Sequence, residues 1–269
     1  MIKLIAVDID DTLLSSYHQI TLGTKKALNK ALDSGIKVVL CSGRPLAGVS
    51  RYLDQLGISG DEQYVITNNG ALVETVSGKI MSRSTLNNAE YRELADFATS
   101  HRMPYYVLDN DSNVYTSNQD INRMVVKQAW ENQAGIFVRT PDQLPADFEI
   151  TKAAIIGEKS DLDKYEPTVN KVLAEKFYVV RAGDNFIEIM HQNVNKGKGL
   201  KQLSQALNIN SDEVMAFGDE KNDLPMLDFA KHAIAMGNGS DLAKSHANYV
   251  TDTNDNDGIA KALNKLVFN

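Results

Sequence analysis

Two acidic segments carry the densest chemistry in this chain. Asp8-Ile9-Asp10-Asp11-Thr12-Leu13 sets three acids within four residues, and Gly218-Asp219-Glu220-Lys221-Asn222-Asp223 sets three within five. Carboxylates this close repel one another unless a counter-charge holds them. A hard divalent cation such as Mg²⁺ supplies it, taking one or two carboxylates, waters and a substrate phosphate. Neither segment contains Cys or His, which disfavours zinc. Two further segments suit an anion. Ser42-Gly43-Arg44 offers a hydroxyl and a backbone N–H to phosphate oxygens, and Asn195-Lys196-Gly197-Lys198-Gly199 offers a point positive charge. Singly, each has an ordinary reading as a helix cap, a turn or a surface lysine. Together they point to phosphate chemistry.

Positioning these segments requires strands that end beside one another. Leu4 to Val7, Lys37 to Cys41, Tyr64 to Thr67, Val214 to Phe217 and Ala233 to Met236 are short apolar runs of strand type. Helical patterns lie between or after them at Thr21 to Ser34, from Pro45 onward, at Leu224 to Phe229 and at Ile259 to Val267. Such alternation predicts an α/β fold, a parallel sheet with helices on both faces. Ligands in open sheets of this kind bind outside the carboxyl ends of the strands, and each of the four segments falls just after an apolar run or opens a helix of this part. The middle of the chain reads differently. A hairpin over Ala71 to Thr85 turns at Ser77-Gly78, and a helix over Asn88 to His101 follows. Strands are predicted at Tyr105 to Leu108, Val114 to Ser117, Ile136 to Arg139, Ala153 to Ile156, Tyr178 to Arg181 and Phe186 to Met190. The simplest organisation is a core from residues 1–84 and 191–269 with an α+β domain, 85–190, inserted between the halves.

Asp8-x-Asp10-x-Thr12, Ser42-Gly43-Arg44, Lys196 and Gly218-Asp219-x-x-Asn222-Asp223 resemble, in order, the four motifs of haloacid-dehalogenase-like phosphatases. The resemblance spans the chain. The insertion, together with Arg44-Pro45, Thr67-Asn68-Asn69-Gly70-Ala71, Asn195-Lys196-Gly197 and Ala235-Met236-Gly237-Asn238, is similar to the Cof-type branch with a type IIB cap, and most of all to its bacterial sugar phosphatases. The resemblance implies a Rossmann-like three-layer core, Mg²⁺ as cofactor and a small phosphorylated metabolite, foremost a sugar phosphate, as substrate. It implies that Asp8 is the nucleophile that becomes an aspartyl-phosphate. Asp10 would protonate the leaving alcohol and then deprotonate the attacking water. Mg²⁺ would be held by Asp8, the Asp10 carbonyl and Asp219, with Glu220 beside it. Ile9 through its backbone, Ser42, Gly43, Lys196 and Asn222 would touch phosphate, and Thr12, Arg44 and Asp223 would support them. The inserted block would close over the site and set specificity, with Tyr105, Tyr115 and Arg123 unranked candidates for substrate contact. One departure from the family pattern is Asp11, where Gly is usual; Asp tolerates a positive φ better than most residues. A phosphotransferase of mutase type, and a non-catalytic phosphometabolite-binding regulator, are the alternatives on the same core.

Composition excludes other classes. With 28 Lys+Arg against 35 Asp+Glu, the net charge of −7 is unlike the basic footprint of a nucleic-acid binder or of a partner for anionic membranes. The single cysteine, Cys41, forbids an internal disulfide and reads as a small buried hydrophobe. No apolar run has the length of a transmembrane helix, and the first one meets Asp8 too soon for a signal peptide, so a cytoplasmic setting is expected. Oligomeric state has no readable signal. Several residues have plain structural readings: His191 as a boundary residue, Met124 and Trp130 as helix packing, Arg44 as an ion-pair member as readily as a phosphate or cap contact. Asp252 to Asp257 reads as a turn and cap before the last helix.

Overall fold

The computed structural model describes residues 1–268 and divides into two compact units, Met1–Arg83 together with the chain from Asn195 onward, and Ser84–Val194. In the first unit, strands β1 (Leu4–Asp8), β2 (Lys37–Cys41), β3 (Tyr64–Thr67), β4 (Leu72–Thr75) and β5 (Ile80–Arg83) come with helices α1 (Leu22–Asp33) and α2 (Leu46–Leu56). The second unit contains α3 (Asn88–Ser100), β6 (Tyr105–Leu108), β7 (Val114–Thr116), α4 (Arg123–Asn132), β8 (Ile136–Val138), β9 (Lys152–Ile156), α5 (Lys159–Leu173), β10 (Phe177–Ala182) and β11 (Phe186–His191). The chain then completes the first unit with α6 (Lys196–Ala206), β12 (Val214–Gly218), α7 (Leu224–Phe229), β13 (His232–Ala235), α8 (Asp241–His246), β14 (Tyr249–Val250) and α9 (Gly258–Leu266).

The first unit is a three-layer α/β/α fold. Its sheet runs β14-β13-β12-β1-β2-β3-β4-β5, parallel from β14 to β3, with the hairpin of β4 and β5 added antiparallel at one edge. The continuous apolar runs are explained by burial on both faces. Ile5 and Val7 of β1 pack with α1, α2 and α9, whereas Leu4 and Ala6 pack with α6 and α7. Each such fully buried aliphatic side chain stabilises the fold by about 1.5–3 kcal/mol. The register places Asp8 beside Cys41, so β1 and β2 deliver their last residues to the same end of the sheet.

The second unit has its own sheet, in the order β10-β11-β9-β6-β7-β8. Pairing is antiparallel except between β7 and β8, which run parallel because α4 crosses between them. Helices α3 and α5 pack on one face around Tyr91, Leu94, Leu162 and Val169, and α4 covers part of the other through Met124, Val125 and Ala129. A capping box on Asn87 and Glu90 starts α3. Trp130 corrects the packing expectation. It is 83% exposed, off the buried stripe of Met124, Val125, Ala129 and Asn132 on α4, while Met124 is buried as expected. Residues 191–194, read from sequence as core, fall with the second unit, because β11 continues to His191 and the Val194 N–H bonds the His191 carbonyl.

The acidic run before α9 is structural, with a partner the sequence did not suggest. The Asp257 carboxylate accepts from the Thr21 hydroxyl at 2.5 Å and the Thr24 N–H at 3.1 Å, so it caps α1. Asp255 accepts from the Ser16 N–H, and Asp252 pairs with Lys261. No described helix is long and apolar enough to cross a membrane.

Candidate active site

The carboxyl ends of β1, β2 and β12 carry three of the four singled-out segments at one end of the parallel sheet, and the fourth, Asn195–Gly199, opens helix α6. After Asp8 the chain enters a tight kinked turn, Ile9–Leu13, in which Asp10 is extended and Asp11 lies at φ 57°. Asp11 therefore occupies the left-handed region that explains the usual Gly there, and its carbonyl is tied to the Asn238 carboxamide at 2.8 Å. The turn buries Thr12, whose hydroxyl donates to Asp219 Oδ1 at 2.7 Å, joining the first segment to the last.

Asp8, Asp219 and Asp223 form a buried group in which one oxygen of each lies within 4.8 Å of the others. Lys196, at the start of α6 and fully buried, donates from Nζ to Asp8 Oδ1 at 2.5 Å and to Asp223 Oδ1 at 2.6 Å. Close approach of α6 to α7 makes this reach possible. A Cβ on Gly197 would lie 2.0 Å from the Pro225 carbonyl oxygen, so only glycine fits. The second oxygen of Asp223 accepts the Asp219 and Glu220 N–H groups at 2.9 and 3.1 Å. Asp223 thus spends both oxygens inside the protein, whereas Asp8 and Asp219 each keep one oxygen without a protein donor among the described residues.

Charge explains the electrostatics. Burial, then Asp223, pushes the Asp8 carboxyl well above the ordinary carboxylate range, with Lys196 opposing. Asp219 is pushed up to about 7 by burial first and Asp223 second, against the Thr12 hydrogen bond. Burial would lower Lys196, but Asp223 and Asp8 together outweigh it and hold the ammonium charged. Three buried acids face one lysine, so their carboxyl groups outnumber the cations that could balance them once ionised. Free carboxylate oxygens on Asp8 and Asp219 are the hard donors a small divalent cation takes, so the residues fit Mg²⁺.

The other expected residues divide. Ser42 is buried at the end of β2, its Oγ accepting the Arg44 N–H at 3.1 Å and its own hydrogen left to donate. Gly43 follows, and Ile9 and Asn222 lie in the turns after β1 and β12. Glu220 is not brought to the carboxylate group. It is exposed, and its carboxylate accepts the Lys221 N–H at 3.1 Å as the cap of the next turn. Asp10 contributes no carboxylate to the group either, because its side chain turns to Arg44. Cys41 is buried, and burial pushes its thiol far up, so it stays a neutral packing residue.

Asn69, singled out in the sequence only as part of Thr67-Asn68-Asn69-Gly70-Ala71, has a positioning role that was not assigned to it there. Asn68, Asn69 and Gly70 lie at φ 49°, 56° and 93°, a left-handed run that packs the Asn69 carboxamide against Gly43. The Asn69 N–H bonds the Ser42 carbonyl at 2.9 Å, and a Cβ on Gly70 would lie 2.4 Å from the Asn195 carbonyl oxygen. The signal was present as an Asn-Asn-Gly turn directly after a buried strand.

Comparison with known proteins agrees with this arrangement. Residues 5–263 match the family of haloacid dehalogenase-like hydrolases. YxeH of Bacillus subtilis (strain 168) is 37% identical over 269 residues, covering 100% of this chain and 99% of that protein. The phosphatase YwpJ of the same strain is 32% identical over 288 residues, covering 98% and 100%. The solved structure of the subclass IIB sugar phosphatase BT4131 superposes with a TM-score of 0.80 at 25% identity, over 98% of each chain. With buried carboxylates and a lysine at the carboxyl ends of a parallel sheet, and a match over nearly its whole length, the chain belongs to the haloacid dehalogenase-like hydrolases, in their Cof-type branch.

Proposed function

We propose that the protein is a Mg²⁺-dependent phosphomonoesterase of small phosphorylated metabolites, sugar phosphates foremost, working through an aspartyl-phosphate on Asp8. The carrying observation is the buried group of Asp8, Asp219 and Asp223 tied together by Lys196. In the first step an Asp8 oxygen forms a bond to phosphorus, the bond to the ester oxygen breaks, and Asp10 gives that oxygen its proton. In the second, Asp10 takes a proton from water as the water oxygen displaces Asp8, releasing inorganic phosphate. Splitting one displacement into two lowers each barrier. Lys196, Ser42, the backbone of Ile9 and Gly43, and Asn222 would hold the phosphoryl oxygens. Mg²⁺, held by Asp8, Asp219 and the Asp10 carbonyl, would supply further positive charge when bound. Asp223, with both oxygens engaged, keeps Lys196 and the loop after β12 in place.

The sugar-phosphate preference is supported by the likeness to a subclass IIB sugar phosphatase. We assign the choice among metabolites to Ser84–Val194, the inserted cap. The lone buried Cys41 and phosphorylated substrates go with a cytoplasmic setting. Purified protein is expected to hydrolyse p-nitrophenyl phosphate and at least one hexose phosphate in a panel that also holds nucleotides and pyridoxal phosphate, in Mg²⁺ and not in EDTA. Phosphate release unaffected by EDTA, or absent throughout the panel, overturns the reading.

The same site sets a pH dependence of stability. Asp219, raised to about 7, keeps its proton in the folded state at pH values where the unfolded chain has lost it. Its stabilising contribution is whole below the ordinary carboxylate pKa of about 4 and is lost as pH rises to about 7. In EDTA the melting temperature is expected to fall between pH 5 and pH 8, and Mg²⁺ to raise it more at pH 8 than at pH 5. Thermal unfolding at the two pH values checks this; equal Mg²⁺ shifts at both contradict it.

A further inference from the structure

Asp10 is half-exposed on a backbone turn, and a short side chain there has freedom to point away from the reacting centre. What limits it is Arg44. The guanidinium donates from Nε to Asp10 Oδ2 at 2.9 Å and from Nη2 to Asp10 Oδ1 at 2.7 Å, a two-pronged pairing that fixes the plane of the carboxyl group. Among the described residues Asp10's carboxylate has no other hydrogen-bond partner. Arg44 is itself anchored. Its N–H bonds Ser42 Oγ, its carbonyl accepts the Asn68 N–H at 3.1 Å, and its guanidinium lies 6.0 Å from the ring of buried Tyr52 on α2. The segment that offers Ser42 and Gly43 at the sheet end therefore also fixes the carboxyl group two residues beyond Asp8.

We propose that Arg44 is a positioning residue for Asp10, setting where the proton of the leaving-group step is delivered. The inference rests on the aspartyl-phosphate reading above. It makes the bond between these two side chains matter most when the departing oxygen needs its proton most. Lysine cannot replace the fork, because an ammonium is a point charge that leaves the carboxyl plane unfixed.

Two aryl phosphates of near-identical shape separate this role from general damage. Phenol, with a pKa of about 10 like tyrosine, departs with difficulty unless protonated, whereas p-nitrophenolate is a much better leaving group. General acid help is worth about 10²–10⁴-fold, so Arg44→Gln is expected to lower kcat/KM for phenyl phosphate at least about tenfold more than for p-nitrophenyl phosphate. Arg44→Lys should fall between Arg44→Gln and wild type, and Asp10→Asn should show the same bias more strongly. Equal losses on both substrates in Arg44→Gln overturn the inference and leave the phosphatase reading standing. If Arg44→Gln melts unlike wild type, the comparison is read from Arg44→Lys, where an unbiased loss has the same force. A wild-type protein that hydrolyses neither ester in Mg²⁺ removes the reading and the inference with it.

Discussion

Asp8→Asn is expected to lower phosphomonoester turnover by about 10⁴-fold or more while leaving the fold intact. A carboxamide of the same shape can still accept from Lys196, but it has no anionic oxygen to attack phosphorus. Stability should not fall with activity. Burial and Asp223 already disfavour the charged form of Asp8, so removing that charge relieves a cost in the metal-free protein. The melting temperature in EDTA at pH 8 is therefore expected to match or exceed that of wild type. Acid-quenched wild-type protein taken during turnover should carry phosphate on Asp8 alone, by mass spectrometry of its peptides. A variant that keeps near-wild-type, Mg²⁺-dependent turnover would exclude Asp8 as nucleophile.

Burial on both sheet faces made much of the fold legible. A strand covered on two sides is a plain apolar run, so Lys37 to Cys41 and Tyr64 to Thr67 were readable to the residue, and β1 and β12 each extend one residue past the apolar run that marks them. Helix α5 is not legible, because Pro167 inside it and a charged exposed face hide its period. Strand β14, two residues long, carries too little pattern to be seen. The hairpin of β4 and β5 was readable from Ser77-Gly78, but not its attachment as an antiparallel edge of the parallel sheet. That choice belongs to partners far away in sequence.

In the site, residue types were legible and side-chain directions were not. Asp8, Asp219 and Lys196 have chemistry that spacing and strand ends suggest. Whether Glu220 or Asp223 faces the group depends on which carboxylate caps the turn after β12, and both stand at capping distance in the sequence. The structure turns Glu220 to the Lys221 N–H and Asp223 inward to Lys196. Arg44 likewise had more than one plausible partner, and only the geometry selects Asp10.

Lys196→Met carries the largest expected effect on stability. Methionine fills much of the lysine's volume in a site with no exposure, so packing loss is small and the charge term dominates. Asp8 and Asp223 would then face one another and Asp219 without a cation. Breaking one side of a buried ion pair costs about 3–5 kcal/mol, and in this site two carboxylates lose the same ammonium. Protonation offers the protein an escape, since a neutral carboxyl tolerates burial, so the loss should be large at pH 8 in EDTA and smaller at pH 5. Urea unfolding at the two pH values measures the difference. Turnover should vanish as well, because the phosphoryl oxygens lose their buried cation, and Mg²⁺ should restore part of the stability without restoring the rate. Coupling can be read directly: the stability loss from Lys196→Met should shrink in an Asp223→Asn background, where one of its two carboxylate charges is already gone. Strictly additive losses from the two substitutions would mean that Lys196 and Asp223 do not hold each other, and Asp223 would no longer be the residue that keeps the lysine in place.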